Sequence, residues 1–369
     1  MKYTKDFERL GLPDYFKFGI EIEADNVNTK GKDGLYTGQS AEFIKSRNWH
    51  MASSKEEALV SHGGAELVSP ILTDTEQDWQ NIFEICQHMK KYPGNKSDEV
   101  VANSKCGLHV HFDSQCLTSD PNRFRNFMRL YAESEELLYK MCNDRNDPIR
   151  KGAINKDFKG LHLISSMWRN GMASPSGKKI LKQIQNDTLK VSYKKFGRFR
   201  MLASKYKLDE RRYNGLNLTN IGNSEKNTIE FRMANGTLSP EVIKQNVFLY
   251  ASLMNTAIQM TENPPEFQEK LEEFYRTDVT EEQKAQNFLN LIMQDPQDRQ
   301  IYIDRWQSVK NSKVFSRNSK KGFAQNRFTR EQFKQIATRT PADRVEVTFA
   351  RIKEMMSRTN DKGDLSYDR

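Results

Sequence analysis

Three short segments of the chain place ionisable side chains at alternate positions. They are Phe18-Gly-Ile-Glu-Ile-Glu23, Cys106-Gly-Leu-His-Val-His-Phe112 and Thr228-Ile-Glu-Phe-Arg232. In an extended strand, residues i and i+2 share a face. Glu21 pairs with Glu23, His109 with His111, and Glu230 with Arg232, each on one side. Ile22, Val110 and Phe231 then face the other way, towards a core. A single polar pair describes a strand with a wet face. Three pairs rich in Glu and His describe strands converging on one charged, cation-holding cavity. Carboxylates with one or two imidazoles suit Mg²⁺ or Mn²⁺. An arginine beside such a cluster equips it for phosphoryl transfer, where cations and guanidinium groups neutralise developing charge.

The elements that must position these groups follow from pattern and punctuation. Residues 17–24, 47–52, 65–70, 107–113, 214–220 and 227–234 read as strands, with Pro70 closing the third. Thr73-Asp-Thr-Glu76 opens a helix that runs to about Lys91. Ser119-Asp-Pro121 opens another, to about Met141, whose apolar face draws on Phe124, Phe127, Met128, Tyr131, Leu137 and Leu138. Ser239-Pro-Glu241 begins a long helix to about 262, and the chain after Pro264-Pro265 reads as helical and polar. Strands adjacent in sequence and joined by short loops predict an α+β fold, an antiparallel sheet with helices on one face.

Composition sets bounds. The 369 residues are 36% hydrophobic and 29% charged, enough for a large core beneath a very polar surface. No apolar run is long enough to span a bilayer, and the first residues lack the apolar stretch of a secretory signal. The four cysteines form no CxxC pair, which argues against a zinc knuckle and for free thiols in a reducing cytoplasm. Charge is unevenly placed. Residues 150–212 hold 17 basic and 4 acidic side chains, a balance of +13, and residues 310–369 hold 15 and 7, a balance of +8. The net charge of +9 therefore leaves about −12 for the remainder, which contains the Glu-rich strands.

Five segments in this order resemble the amidoligase family of the glutamine synthetase and glutamate–cysteine ligase superfamily. They are Phe18–Glu23, Gly64-Ala-Glu-Leu-Val-Ser-Pro-Ile71, Cys106–His111, Arg212-Tyr-Asn-Gly-Leu-Asn-Leu218 and Thr228-Ile-Glu-Phe-Arg-Met-Ala-Asn-Gly-Thr237. The resemblance covers roughly 20–260 and is thin over 145–210, which reads as an enlarged basic insertion. It implies a catalytic domain over 1–265 and leaves 266–369 as a mainly helical, basic C-terminal extension. It also implies a curved, glutamine synthetase-like antiparallel sheet holding two or three Mg²⁺ or Mn²⁺ ions. The implied activity is ATP-dependent ligation of a carboxylate to an amine through an acyl phosphate. Carried over residue by residue, Glu21, His109 and Glu230 would hold the cation beside the terminal phosphate. Glu23 and Glu66 would hold a second cation. His111 and Arg232 would contact the transferring phosphoryl group, and Arg212 would clamp substrate or phosphate. The basic insertion supports a different class of reading, a nucleic-acid-binding protein on a ligase-derived scaffold, or a ligase whose substrate is an acidic macromolecule.

Overall fold

A computed structural model describes residues 1–24, 27, 39–53, 65–91, 100, 102, 106–143, 216–218, 220–221, 226–276 and 278–309. Arg212, the whole of the basic insertion and residues 310–369 lie outside them. Six strands form one antiparallel sheet: β1 (Phe18–Ala24), β2 (His50–Ser53), β3 (Ala65–Val68), β4 (Gly107–Asp113), β5 (Leu216–Asn217) and β6 (Thr228–Asn235). Their spatial order is β2-β3-β1-β4-β6-β5. The helices are α1 (Gln39–Ser46), α2 (Glu76–Lys91), α3 (Gln115–Thr118), α4 (Pro121–Met141), α5 (Pro240–Glu262), α6 (Pro264–Tyr275), α7 (Glu281–Ile292) and α8 (Pro296–Val309).

The strand pattern sorts the sheet into two faces. Phe18, Ile20 and Ile22 of β1, Leu108, Val110 and Phe112 of β4, and Ile229 and Phe231 of β6 are all buried in the main apolar core. Phe18 stacks on Trp79 of α2, with ring centroids 5.4 Å apart. Phe231 stacks on Tyr250 of α5 at 4.2 Å and meets Phe127 of α4 edge-on at 6.2 Å. The opposite face carries the Glu, His and Arg side chains. The expected antiparallel α+β arrangement is therefore present in an open six-stranded sheet.

Local signals explain most helix starts. Asp120 caps α4, accepting from the Asn122 amide at 2.7 Å, with Pro121 in the first turn. Ser239 caps α5 in the same way, followed by Pro240. Thr280 and Gln283 form a capping box at α7. Helix α1 was not expected. It ends where Asn48 adopts φ 60°, a left-handed conformation that Asn tolerates better than most residues. Strand β3 is shorter than the sequence pattern indicates.

The described part of the C-terminal extension joins the same core. Phe274, Phe288, Tyr302 and Trp306 are all buried in it. The Tyr302 hydroxyl donates to the Gln245 carbonyl of α5 at 2.7 Å. At the other end of the chain, Lys2 pairs with Asp295 at 2.9 Å and the Tyr3 amide donates to Asp298 at 3.0 Å. No helix among the described residues is long and apolar enough to cross a membrane.

Asp74 fastens the first residues to this framework. Its buried carboxylate accepts from the Leu10 amide at 2.8 Å, the Leu12 amide at 2.9 Å and the Trp79 indole at 2.8 Å. Asp74→Ala strands three buried donors at once. Each orphaned group costs about 1–3 kcal/mol, so a total loss of roughly 3 kcal/mol or more is expected. Urea denaturation should show the midpoint falling with an unchanged slope. A change under about 0.5 kcal/mol, the level of an ordinary surface substitution, would refute this role.

Candidate active site

Strand register builds the polar face rank by rank. Glu23 lies opposite Glu66, Glu21 opposite His109, His111 opposite Glu230, and Glu230 opposite Asn217. Directly opposed residues in antiparallel strands hold their side chains side by side. Five strands, β3, β1, β4, β6 and β5, thus deliver one continuous cluster. Between β4 and β6 the register shifts, so that Arg232 and Met233 together span the position of His109. This bulge returns Ala234 to the core side opposite Leu108 and leaves Arg232 beside the glutamates.

Glu21 is the centre of the cluster. Its Oε2 is 3.0 Å from His109 Nδ1 and its Oε1 is 3.1 Å from His111 Nε2. His109 Nδ1 is also 3.6 Å from Glu230 Oε1 and 3.8 Å from Glu66 Oε1. His111 Nε2 is 3.8 Å from Glu230 Oε1, and its Nδ1 is 3.3 Å from the Thr228 hydroxyl. Arg232 Nη1 forms an ion pair with Glu230 Oε1. Glu23 is held from behind, its Oε2 accepting the Gly107 amide at 2.6 Å, while its Oε1 lies 3.8 Å from His109 Nε2.

Two glycines make this packing possible. A Cβ on Gly107 would lie 3.0 Å from His109 Nε2 and 3.2 Å from Glu23 Oε2. A Cβ on Gly236 would lie 2.6 Å from the Cys106 Cβ and 3.0 Å from the Glu23 carbonyl oxygen. Side chains at either position would push into the support of Glu23.

The charges are not equally satisfied. Burial opposes the Glu21 carboxylate, yet its contacts with His109 and His111 outweigh burial and hold its carboxyl well below the usual range. Burial likewise opposes Glu230, and the charges of His111, Arg232 and His109 outweigh it. Burial would strip the proton from His111, but Glu21 and Glu230 hold it on, raising that group. Glu66 behaves differently. Burial and the neighbouring Glu21 and Glu23 charges push its carboxyl up to about 8.

Two sets of three donor atoms each lie within 4.8 Å of one another: Glu21, Glu66 and His109, and Glu21, His111 and Glu230. Glu21 belongs to both, and Glu23 to neither. Hard carboxylate oxygens with one imidazole per set fit Mg²⁺ or Mn²⁺. The buried His109 Nε2, which has no hydrogen-bond partner, adds to a site whose polar groups are incompletely matched by one another. Of the residues expected from sequence, Glu21, Glu23, Glu66, His109, His111, Glu230 and Arg232 come together here, and Arg212 lies outside the described residues. Sequence reasoning passed over Asn217, although it sits in the quoted Arg212–Leu218 segment. Its Nδ2 donates to Glu230 Oε2 at 2.6 Å.

The raised Glu66 carboxyl has a measurable consequence. A carboxyl that binds its proton more tightly folded than unfolded stabilises the fold below its unfolded value, near 4.3. That contribution is lost as pH rises through about 8. His111, also raised, contributes with the same sign at higher pH. The cation-free protein should therefore lose stability as pH rises from about 5 through about 8. Glu66→Gln, which mimics the neutral acid, should flatten this decline while keeping or raising the melting temperature at pH 8. A steeper alkaline decline in the variant would contradict the assignment.

The fold and site define an open antiparallel sheet bearing a carboxylate–imidazole–guanidinium cluster on the face opposite its apolar core. The family described as "Putative amidoligase enzyme" matches residues 15–254, and the chain belongs to it. Those residues run from before β1 into α5 and include every residue of the cluster. No curated protein gives a significant match. Membership points to a ligase.

Proposed function

We propose that the protein is an ATP-dependent carboxylate–amine ligase that makes an amide bond through an acyl phosphate. The observation that carries this reading is the cluster itself: four glutamates, two histidines and Arg232 from facing strands, in a chain of the amidoligase family. In this reading Glu21, Glu66 and His109 hold one divalent cation, and Glu21, His111 and Glu230 hold a second. Bound there, Mg²⁺ or Mn²⁺ would neutralise the triphosphate, which could not otherwise approach so many carboxylates.

The chain's own groups divide the remaining work. Arg232 offers a planar guanidinium beside Glu230, suited to two phosphoryl oxygens at once. His111 borders the same position as a ligand of the second cation. Glu23, pinned by the Gly107 amide, backs His109 and adds negative charge for the cations. Arg212 is assigned to clamping substrate or phosphate. In the reaction, a substrate carboxylate oxygen attacks the γ-phosphorus and ADP leaves. An amine nitrogen then attacks the acyl carbon, losing a proton as inorganic phosphate departs. No protein nucleophile is required.

The test is ADP release with Mg²⁺ or Mn²⁺ across panels of amino acids, dicarboxylates and amines, with hydroxylamine present to trap acyl phosphate as a hydroxamate. Turnover that depends on cation and carboxylate, with hydroxamate formed, supports the ligase. Absence of both across the panel would reject it.

A further inference from the structure

Glu230 carries its two oxygens into different surroundings. Oε1 faces Arg232, His109 and His111. Oε2 turns away and accepts the Asn217 amide at 2.6 Å. Both side chains are buried, Asn217 to 4% exposure and Glu230 to 2%. The arrangement is fixed by the sheet. Asn217 stands directly opposite Glu230 in the β5–β6 pair, and its neighbours Leu216 and Leu218 are both buried in the core. Alternation along the strand leaves the Asn217 side chain only the polar face.

We propose that Asn217 is a positioning residue that restricts Glu230 to a single donor oxygen and thereby biases the site towards small octahedral cations. The inference rests on the ligase reading of the cluster and adds its cation preference. A carboxylate with both oxygens free can bind bidentately, the mode common for Ca²⁺, which accepts six to eight oxygens at longer distances. Mg²⁺ demands near-octahedral geometry and is met by single oxygens. With Oε2 turned away and engaged by a neutral amide donor, Glu230 meets a cation in this proposal through Oε1, the oxygen that also faces Arg232. Asparagine suits this task. Aspartate would set a second carboxylate against Oε2, and a leucine of similar size would leave that oxygen without its donor in a buried place.

Cation binding to the nucleotide-free protein tests the idea without reference to turnover. Mg²⁺, Mn²⁺ and Ca²⁺ are titrated calorimetrically into the parent, Asn217→Ala, Asn217→Thr and, as a control for strand damage, Leu216→Ala. Threonine keeps the strand well formed, yet its hydroxyl stops short of the place held by the amide nitrogen. Both Asn217 variants should lose Mg²⁺ and Mn²⁺ affinity by about 10–100-fold, the usual effect of removing an outer partner of a ligand. Ca²⁺ affinity should hold or rise, so the Mg²⁺-to-Ca²⁺ ratio falls at least about tenfold. Leu216→Ala should lower the melting temperature and leave that ratio unchanged. An unaltered ratio in the folded Asn217 variants overturns the inference while the ligase reading stands. Absence of Mg²⁺ and Mn²⁺ binding to the parent removes both.

Discussion

Glu21→Gln is expected to abolish ligation and to destabilise the protein before any cation is added. Glu21 is the one carboxylate common to both donor sets. Its loss would therefore disturb both proposed cation sites together. Lewis-acid stabilisation is worth several kcal/mol, and each 1.36 kcal/mol is tenfold in rate, so turnover should fall by at least about 10³. The effect on stability has a separate origin. Glu21 touches His109 at 3.0 Å and His111 at 3.1 Å, and both favour its charge over the opposition of burial. Removing one partner of a buried pair usually costs about 3–5 kcal/mol. The glutamine oxygen keeps one contact, so a loss below that range, roughly 2 kcal/mol, is expected. Chemical denaturation at pH 7 without divalent cations measures this, and ADP release measures the other. Parental stability together with parental turnover would remove Glu21 from the centre of the site.

Arg232→Lys should cut turnover by about 10²–10³ while the fold and cation binding survive, because the proposed reaction would lose a donor aimed at transition-state charge. Lysine retains the charge that faces Glu230, so the ion pair and the local balance persist. It lacks the planar fork that reaches two oxygens together. The diagnostic pattern is a lower kcat with Mg²⁺ affinity within about threefold of the parent. Near-parental kcat would show that Arg232 serves only to neutralise Glu230.

Much of the site was legible because β-strands alternate. Glu21, His109 and Glu230 could be placed on one face from the apolar residues between them. Glu66 was different. It sits in a four-residue strand, and only the resemblance to a family marked it. The electrostatic state was not legible. Counted along the sequence, the site is a crowd of like charges from which any carboxylate might be removed with relief. Folded, Glu21 and Glu230 are matched by two histidines and Arg232, and Glu66 holds the excess proton. Register across strands decides this, and register depends on residues far apart in the chain. The bulge at Arg232 and Met233 was equally hidden, since no glycine or proline marks it. Asn217 escaped notice because an asparagine in a short strand has no chemistry of its own until its partner is known.

The cluster draws on five strands, with residues 23 and 66, 66 and 109, and 111 and 217 each separated by dozens of positions. Nothing in the cluster depends on the length of the chain between them. Closing a loop costs only about 0.6 kcal/mol more for each doubling of its length. Between Asn143, which closes α4 and donates to the Met233 carbonyl of β6, and Leu216, which begins β5, the chain can therefore lengthen greatly with the donor atoms undisturbed. Growth at this one interval leaves the strand register that assembles the donor atoms unchanged. Within the strands the opposite holds, since a single inserted residue in β1 or β4 would exchange the core for the site.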